Sequence, residues 1–133
     1  MIKSAVGISQ NLSDHKKAAS NAAEEALGKL GGSQPNIVFA FSSIQYNQED
    51  ILAGLKSVFG SAIIVGGSAA GEITSWATNF DSVNVMAIAS DQISFATGLG
   101  VNAQADNFKA GAMAVEDLIK NKDGQKPDLL LLI

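Results

Sequence analysis

The fold is decided by residues 62–73, which read Ala62-Ile63-Ile64-Val65-Gly66-Gly67-Ser68-Ala69-Ala70-Gly71-Glu72-Ile73. The first four residues form an apolar run of the kind that predicts a strand buried on both faces of a sheet. The glycines that follow let another backbone, or a ligand, come close. Ser68 and Glu72 carry the polar side chains of this turn. A buried strand that opens into a tight loop is typical of the binding crevices of α/β proteins, so the stretch predicts such a crevice.

The composition indicates a globular protein with a real core. The chain has 133 residues, of which 47% are hydrophobic and 17% charged, and we expect one domain over residues 1–133. A net charge of −4, with basic residues scattered along the chain, argues against nucleic acid as a partner. The absence of cysteine excludes disulfides and thiolate metal sites, and we expect neither metal nor cofactor. No apolar run reaches the roughly 18 residues of a membrane span, so a cytoplasmic protein that binds no membrane is expected.

The hydrophobic pattern alternates strands with helices. The predicted elements are strand 3–9, helix 13–30, strand 36–41, helix 47–59, the strand that begins at 62, strands 82–89 and 93–101, helix 106–121 and a last strand, 128–133. Ser13 or Asn11 is the expected N-cap of the first helix, and Asn47 that of the second. The alternation predicts parallel strands, whereas Ser90-Asp91 predicts a tight antiparallel turn. The predicted fold is therefore α/β, a mixed, mainly parallel sheet with flanking helices and one antiparallel hairpin.

Three further expectations concern packing. The alanine-rich face of the first helix predicts that it lies close to the sheet. The small residues at positions 94, 96, 98 and 100 predict a smooth face against which another element packs. The last helix should direct five residues inward, namely Phe108, Ala112, Val115, Leu118 and Ile119. The apolar end of the chain, residues 129–133, predicts a strand that further chain would cover, so we expect the domain to continue beyond Ile133.

The turns that follow the first three strands should meet at one edge of the sheet, because parallel strands share their carboxyl ends. Polar and aromatic side chains in these turns are typical of small-molecule pockets. Glu72 should favour a ligand that carries an amino group, since a carboxylate in a crevice prefers a charged donor. The residues that we predict to bind the ligand are Ser42, Ser43, Tyr46, Gly66, Gly67, Ser68, Ala69, Ala70, Gly71, Glu72 and Trp76.

Motifs for catalysis are incomplete. Gly66 and Gly71 are spaced like the glycines of a phosphate-binding loop, but Glu72-Ile73 stands where Lys-Ser/Thr is required. Around Ser68, Gly66 fits a nucleophile elbow and Ala70 does not. The single histidine, His15, is expected at the surface of the first helix. We therefore predict no catalytic residue; the alternatives are a small hydrolase or transferase that uses Ser68 and Glu72, and a structural dimerisation module.

Four stretches, in this order, resemble the N-terminal part of FIST domains. They are Gly7-Ile8-Ser9, the segment from Val38 to Ser43 with Tyr46 after it, the turn from Gly66 to Ile73, and the strand from Ser82 to Ile88. The resemblance implies an intracellular signal-transduction domain that senses small ligands, amino acids among them. It also implies a signalling output module, on another chain or in a longer native chain. A second copy of this chain, in a homodimer, is the alternative protein partner. We therefore expect a ligand-binding sensory domain.

Overall fold

Strands and helices alternate along the chain in a computed structural model that describes residues 1–74 and 78–133. The chain divides into two compact units, residues 1–93 and 94–133. The elements of the first unit are β1 (Ile2–Ser9), α1 (His15–Lys29), β2 (Ile37–Ser43), α2 (Gln48–Phe59), β3 (Ile63–Ala69), β4 (Glu72–Ile73), β5 (Thr78–Asn79) and β6 (Val83–Ser90). The second unit contains α3 (Asn107–Asn121).

The main sheet has four strands in the order β1-β6-β2-β3. Strand β6 is antiparallel to both of its neighbours, and β2 is parallel to β3. Because two antiparallel steps restore the original direction, β1, β2 and β3 all run the same way. The predicted mixed α/β fold is confirmed, with β6 inserted between the first two strands.

Strand β3 differs from its prediction in place and length. It lies at the edge of the sheet, and Ile63, Ile64 and Val65 are only partly buried, so the prediction of burial on both faces is wrong. The strand continues through the small residues to Ala69, because pairing with β2 extends as far as Ser43. Gly66 has a φ of 144°, and a Cβ there would lie 1.7 Å from the Ala40 carbonyl oxygen. Only glycine permits this close pairing.

Helix α1 packs on β1 and β6, and α2 packs against α1; buried side chains of both helices share one core with this face of the sheet. Helix α1 begins after Asp14, whose carboxylate accepts a hydrogen bond from the Lys17 amide, so neither Ser13 nor Asn11 is its N-cap. Asn47 caps α2 as predicted. The alanine face of α1 lies very close to β1, since a Cβ on Gly7 would be 1.9 Å from the Ala22 carbonyl oxygen. The expected close approach is therefore confirmed.

The antiparallel hairpin lies elsewhere than predicted. It is formed by β4 and β5, with Glu72 opposite Asn79, while residues 91–101 form no strand. Within the second unit this segment lies against α3 instead, because a Cβ on Gly98 would be 2.0 Å from the Ala114 carbonyl oxygen. The predicted smooth face exists, and a helix covers it rather than a neighbouring strand.

Helix α3 buries fewer residues than predicted. Ala110 and Leu118 are its buried residues, whereas Phe108 is 87% exposed and Val115 is also exposed.

Residues 128–133 form no strand, since no described strand pairs with them, and residues 129–133 are exposed. Of the helices in the part of the chain that the structure describes, none is long and apolar enough to cross a membrane.

Candidate functional site

The turns after β1, β2 and β3 lie at one edge of the main sheet, as predicted, because these three strands share one direction. Residues between β5 and β6 join the first two turns. The Gln10 side-chain amide donates to the Phe80 carbonyl oxygen at 3.2 Å. The Tyr46 hydroxyl donates to the Asp81 carbonyl oxygen at 2.8 Å. These two hydrogen bonds hold residues 80 and 81 against the turns after β1 and β2, at the carboxyl edge of the sheet.

Glu72, the first residue of β4, bonds to the last residue of β2 and to the residue before β6. Its side chain is buried, with 5% of the residue exposed. The Ser43 hydroxyl lies 3.1 Å from both carboxylate oxygens, and the Ser82 hydroxyl donates to Oε2 at 2.6 Å. These bonds bring two residues predicted for the site, Ser43 and Glu72, into direct contact.

Backbone and amide donors fix the direction of both hydroxyl groups. The Ser82 amide donates to Ser43 Oγ at 3.0 Å, and Asn84 Nδ2 donates to Ser82 Oγ at 2.7 Å. A hydroxyl that accepts an N–H still has its own proton to donate. Each serine therefore accepts from an N–H group and donates to Glu72, so both hydroxyl protons point toward the carboxylate.

Glu72 has no cationic partner among the described residues, where its bonds come from Ser43 and Ser82 alone. Burial of an ionised carboxylate is costly unless hydrogen bonds or a cation compensate. Among the residues that the structure describes, Oε1 receives only the Ser43 proton, which it shares with Oε2. A carboxylate offers about four acceptor positions, so the group retains capacity for a further donor.

Tyr46 is almost fully buried beside this network, with 3% of the residue exposed. Burial is the main cause that raises the pKa of its hydroxyl, and the charges of Asp81 and Glu72 act in the same direction. A backbone hydrogen bond with Asn11 opposes this rise in the pKa. The tyrosine is therefore held in its neutral form, as the donor to Asp81.

His15 has a role that the sequence prediction missed. Its Nδ1 accepts the Asn47 amide proton at 3.0 Å, and its ring lies edge-on to that of Tyr46, with 5.2 Å between the centroids. His15 thus joins the start of α1 to the turn after β2. No local signal in the sequence links these two positions, which lie 32 residues apart.

The remaining predicted residues occupy different places. Ser42 is buried and bonded to the Gln48 side chain, with Nε2 to Oγ at 3.0 Å. Ser68 lies beside Ser42 in the sheet register and is exposed. The carboxylate of Glu72 bonds to Ser43 and Ser82 rather than to Ser68. Of the glycines and alanines, Gly66, Gly67 and Ala69 lie in β3, and Ala70 and Gly71 follow it. Trp76 lies outside the described residues.

Two polar residues of this cluster, Ser82 and Asn84, were not predicted from the sequence. Ser82 immediately precedes β6 and Asn84 lies within it, and a polar residue at such a position gives no local sign of its contacts. A second feature is a surface depression of about 390 Å³ lined by Ser13, Asp14, His15, Lys16 and Asp50, apart from the Glu72 cluster. Within residues 1–74 and 78–133, no group of three histidine, aspartate or glutamate residues could hold a metal ion.

Comparisons with known proteins give one family and several distant structures. Among solved structures, an FtsZ mutant from M. jannaschii is 17% identical (TM-score 0.42), and an empty FtsZ dimer from the same organism is 19% identical (TM-score 0.39). Each alignment covers 67% of this chain and 27% of the FtsZ chain, so the match extends over about a quarter of the length of each FtsZ chain. An FtsZ-like protein of unknown function from Nostoc punctiforme is 23% identical (TM-score 0.34), with 67% of this chain and 90% of that chain covered.

No curated protein matches the chain. The model of the FIST N domain matches residues 36–133, which include β2, β3, the Glu72 hairpin and β6. The match therefore contains the whole Ser43–Glu72–Ser82–Asn84 network. The chain therefore belongs to the FIST N domain family, a family of sensory domains.

Proposed function

We propose that this chain is a ligand-binding sensory domain that acts in signal transduction in the cytoplasm, and that the carboxyl edge of its main sheet binds a small molecule with an amino group. Amino acids are the first class of ligand that we propose. The bound state would be passed to an output module, on another chain or in a longer native chain. The family supports the sensory role, and the chemistry of the edge supports the ligand class.

The burial of Glu72 is the observation that carries this proposal. The carboxylate is 5% exposed and is held by two hydroxyl groups, without a cationic partner among the described residues. An ammonium group supplies both positive charge and up to three N–H donors. Charge-assisted bonds of this kind are stronger than bonds between neutral groups. A ligand amine is thus the partner that best complements the carboxylate.

A purely structural role for Glu72 would leave the same bonds in place, so the test must separate binding from folding. We would measure the thermal unfolding of the purified chain with each of the common amino acids, small amines and small carboxylic acids. A ligand that binds only the folded state raises the free energy of unfolding by about 2.7 kcal/mol at one hundred times its Kd. At least one amine should therefore raise Tm, while the carboxylic acids should not.

The variant Glu72→Gln tests the role of the charge. Glutamine has the same shape and can still accept from the serine hydroxyls, so the fold should persist while the amine-induced rise in Tm is lost. Glu49→Gln is the matched control, because Glu49 is exposed in the first turn of α2, and its shift should equal that of the wild type. Calorimetric titration checks the affinity directly. The proposal is wrong if no amine stabilises the chain, or if Glu72→Gln binds the amine as well as the wild type does.

A further inference from the structure

A row of residues in register crosses the main sheet just below its carboxyl edge. Ile8 lies opposite Asn84, Asn84 opposite Phe41, and Phe41 opposite Gly67. Residues in register project from the same face of a sheet, with their Cβ atoms roughly 5 Å apart. This face is opposite the one that packs on α1, because the neighbours of Asn84 in β6, Val83 and Val85, belong to the helix-covered core.

Asn84 is a polar residue that lies between two apolar residues of its row. The next row along the same face consists of Val6, Met86, Phe39 and Val65, all apolar. Ile8 and Phe41, on either side of Asn84, are each partly buried. The asparagine therefore stands where the apolar face of the sheet meets the polar network around Glu72.

The two ends of the Asn84 amide differ in their bonding. Nδ2 donates to the Ser82 hydroxyl at 2.7 Å, and that hydroxyl donates to Glu72 at 2.6 Å. Oδ1 is buried and has no hydrogen-bond partner among the residues that the structure describes. Nδ2 of Asn79, the residue opposite Glu72 in the hairpin, is likewise buried and has no partner among the described residues. Because nearly all buried polar atoms are bonded, the unpaired acceptor of Asn84 calls for a donor. The amide that carries this acceptor is linked through its Nδ2 and the Ser82 hydroxyl to the Glu72 carboxylate.

We propose that Asn84 is a specificity-determining residue of the ligand site, and that the ligand is a primary amine with a short apolar side chain. This inference rests on the proposed function, whose ligand it narrows. One N–H of the ammonium group binds Glu72, a second binds Asn84 Oδ1, and the apolar group packs on Ile8 and Phe41. A polar side chain would lose its hydrogen bonds with water against this surface, so polar amines should bind more weakly.

The experiment compares leucine, valine and 3-methylbutylamine with serine, aspartate and 4-methylpentanoate on the wild type and on three variants. Asn84→Leu has a similar shape and no acceptor. Asn84→Asp keeps an acceptor, and both variants lose the N–H that Asn84 donates to Ser82, so the difference between them isolates the acceptor. Met86→Leu is the control, since Met86 lies on the same face of β6 one row away and keeps nearly the same volume. The readouts are the ligand-induced rise in Tm and the Kd from calorimetric titration.

We expect the three apolar amines to bind the wild type and Met86→Leu, and Asn84→Leu to bind them about tenfold more weakly, the scale of one lost hydrogen bond to a charged group. Asn84→Asp should bind them at least as well as the wild type, which also keeps the test valid should Asn84→Leu fail to fold. If polar amines bind as tightly as apolar ones, or if Asn84→Leu keeps its affinity, the inference is wrong while the proposed function stands. If no amine binds at all, both fail.

Discussion

At the scale of single residues, Tyr46 gives the clearest reason for the stability of the fold to depend on pH. Burial, the largest cause, raises the pKa of its hydroxyl above the ordinary value of 10.0, and the charges of Asp81 and Glu72 add to this. Below the ordinary value both the folded and the unfolded chain carry neutral tyrosine, so its contribution to stability is fully present. As the pH rises from there through the folded-state pKa, only the unfolded chain ionises, and the contribution is lost.

We therefore predict that the free energy of unfolding falls on the alkaline side more steeply in the wild type than in Tyr46→Phe. Below this range, Tyr46→Phe should be less stable by about 1 kcal/mol, because the hydrogen bond to the Asp81 carbonyl oxygen is lost. Urea unfolding at a series of alkaline pH values measures the difference. The chain has one tyrosine, so the absorbance of tyrosinate reports the titration of the folded state directly. Parallel stability curves for the two proteins would contradict the prediction.

At the scale of elements, the contact between β1 and α1 depends on a glycine. A Cβ on Gly7 would lie 1.9 Å from the Ala22 carbonyl oxygen and 2.8 Å from the Ala26 amide nitrogen, both of them backbone atoms of α1. A backbone cannot move aside as a flexible side chain can. We predict that Gly7→Ala lowers the free energy of unfolding by about 3 kcal/mol, as overpacking of a close contact does.

Gly28→Ala is the matched control for this prediction. Gly28 lies in the same helix, and nothing lies within 4 Å of a Cβ built there. Since alanine favours a helix over glycine by up to about 1 kcal/mol, this variant should be slightly more stable than the wild type. Urea unfolding measures the free energy of unfolding of both variants and of the wild type. If Gly7→Ala is as stable as the wild type, β1 and α1 are not held together by this close contact.

The elements also show which features local sequence can predict. Asn47 as a cap and the alanine face of α1 follow from patterns within a few residues, and the structure confirms them. The place of β6 between β1 and β2 depends on long-range pairing, for which residues 83–90 carry no local signal. An apolar run such as 62–65 fits a buried strand and an edge strand equally well. Period-two alternation at 93–101 indicates an extended segment, but it does not say whether a strand or a helix covers it.

The candidate site likewise contains some features that local sequence could predict and others that depend on long-range contacts. The shared direction of β1, β2 and β3 follows from the order of strands and helices, so the common edge of their turns could be predicted. The contact between Ser43 and Glu72, which are 29 residues apart, joins two predicted residues. Ser82 and Asn84 were missed because their role depends on the fold of the hairpin between β3 and β6. Polar atoms that converge only through tertiary structure leave no periodic trace in the sequence.

At the scale of the whole molecule, the core is unevenly distributed along the chain. The cluster of buried apolar side chains is drawn entirely from residues 5–87, on β1, α1, β2, α2, β6 and the turn at Tyr46. Helix α3 has two buried residues, Ala110 and Leu118. Burial of apolar surface is the main source of folding free energy, so the part of the chain with the larger core should open less often.

We predict that amide hydrogen exchange reflects this difference. The amides of β6 and β2, the two inner strands of the main sheet, should exchange most slowly, because each strand has a partner on both sides. The amides of α3 should exchange faster, by about tenfold or more, since each 1.4 kcal/mol of opening free energy corresponds to a factor of ten. Exchange followed by mass spectrometry on peptides from residues 83–90 and 107–121 measures both. If the two peptides are protected equally, they open in one cooperative step, and the buried cluster of residues 5–87 does not by itself set the stability of the sheet.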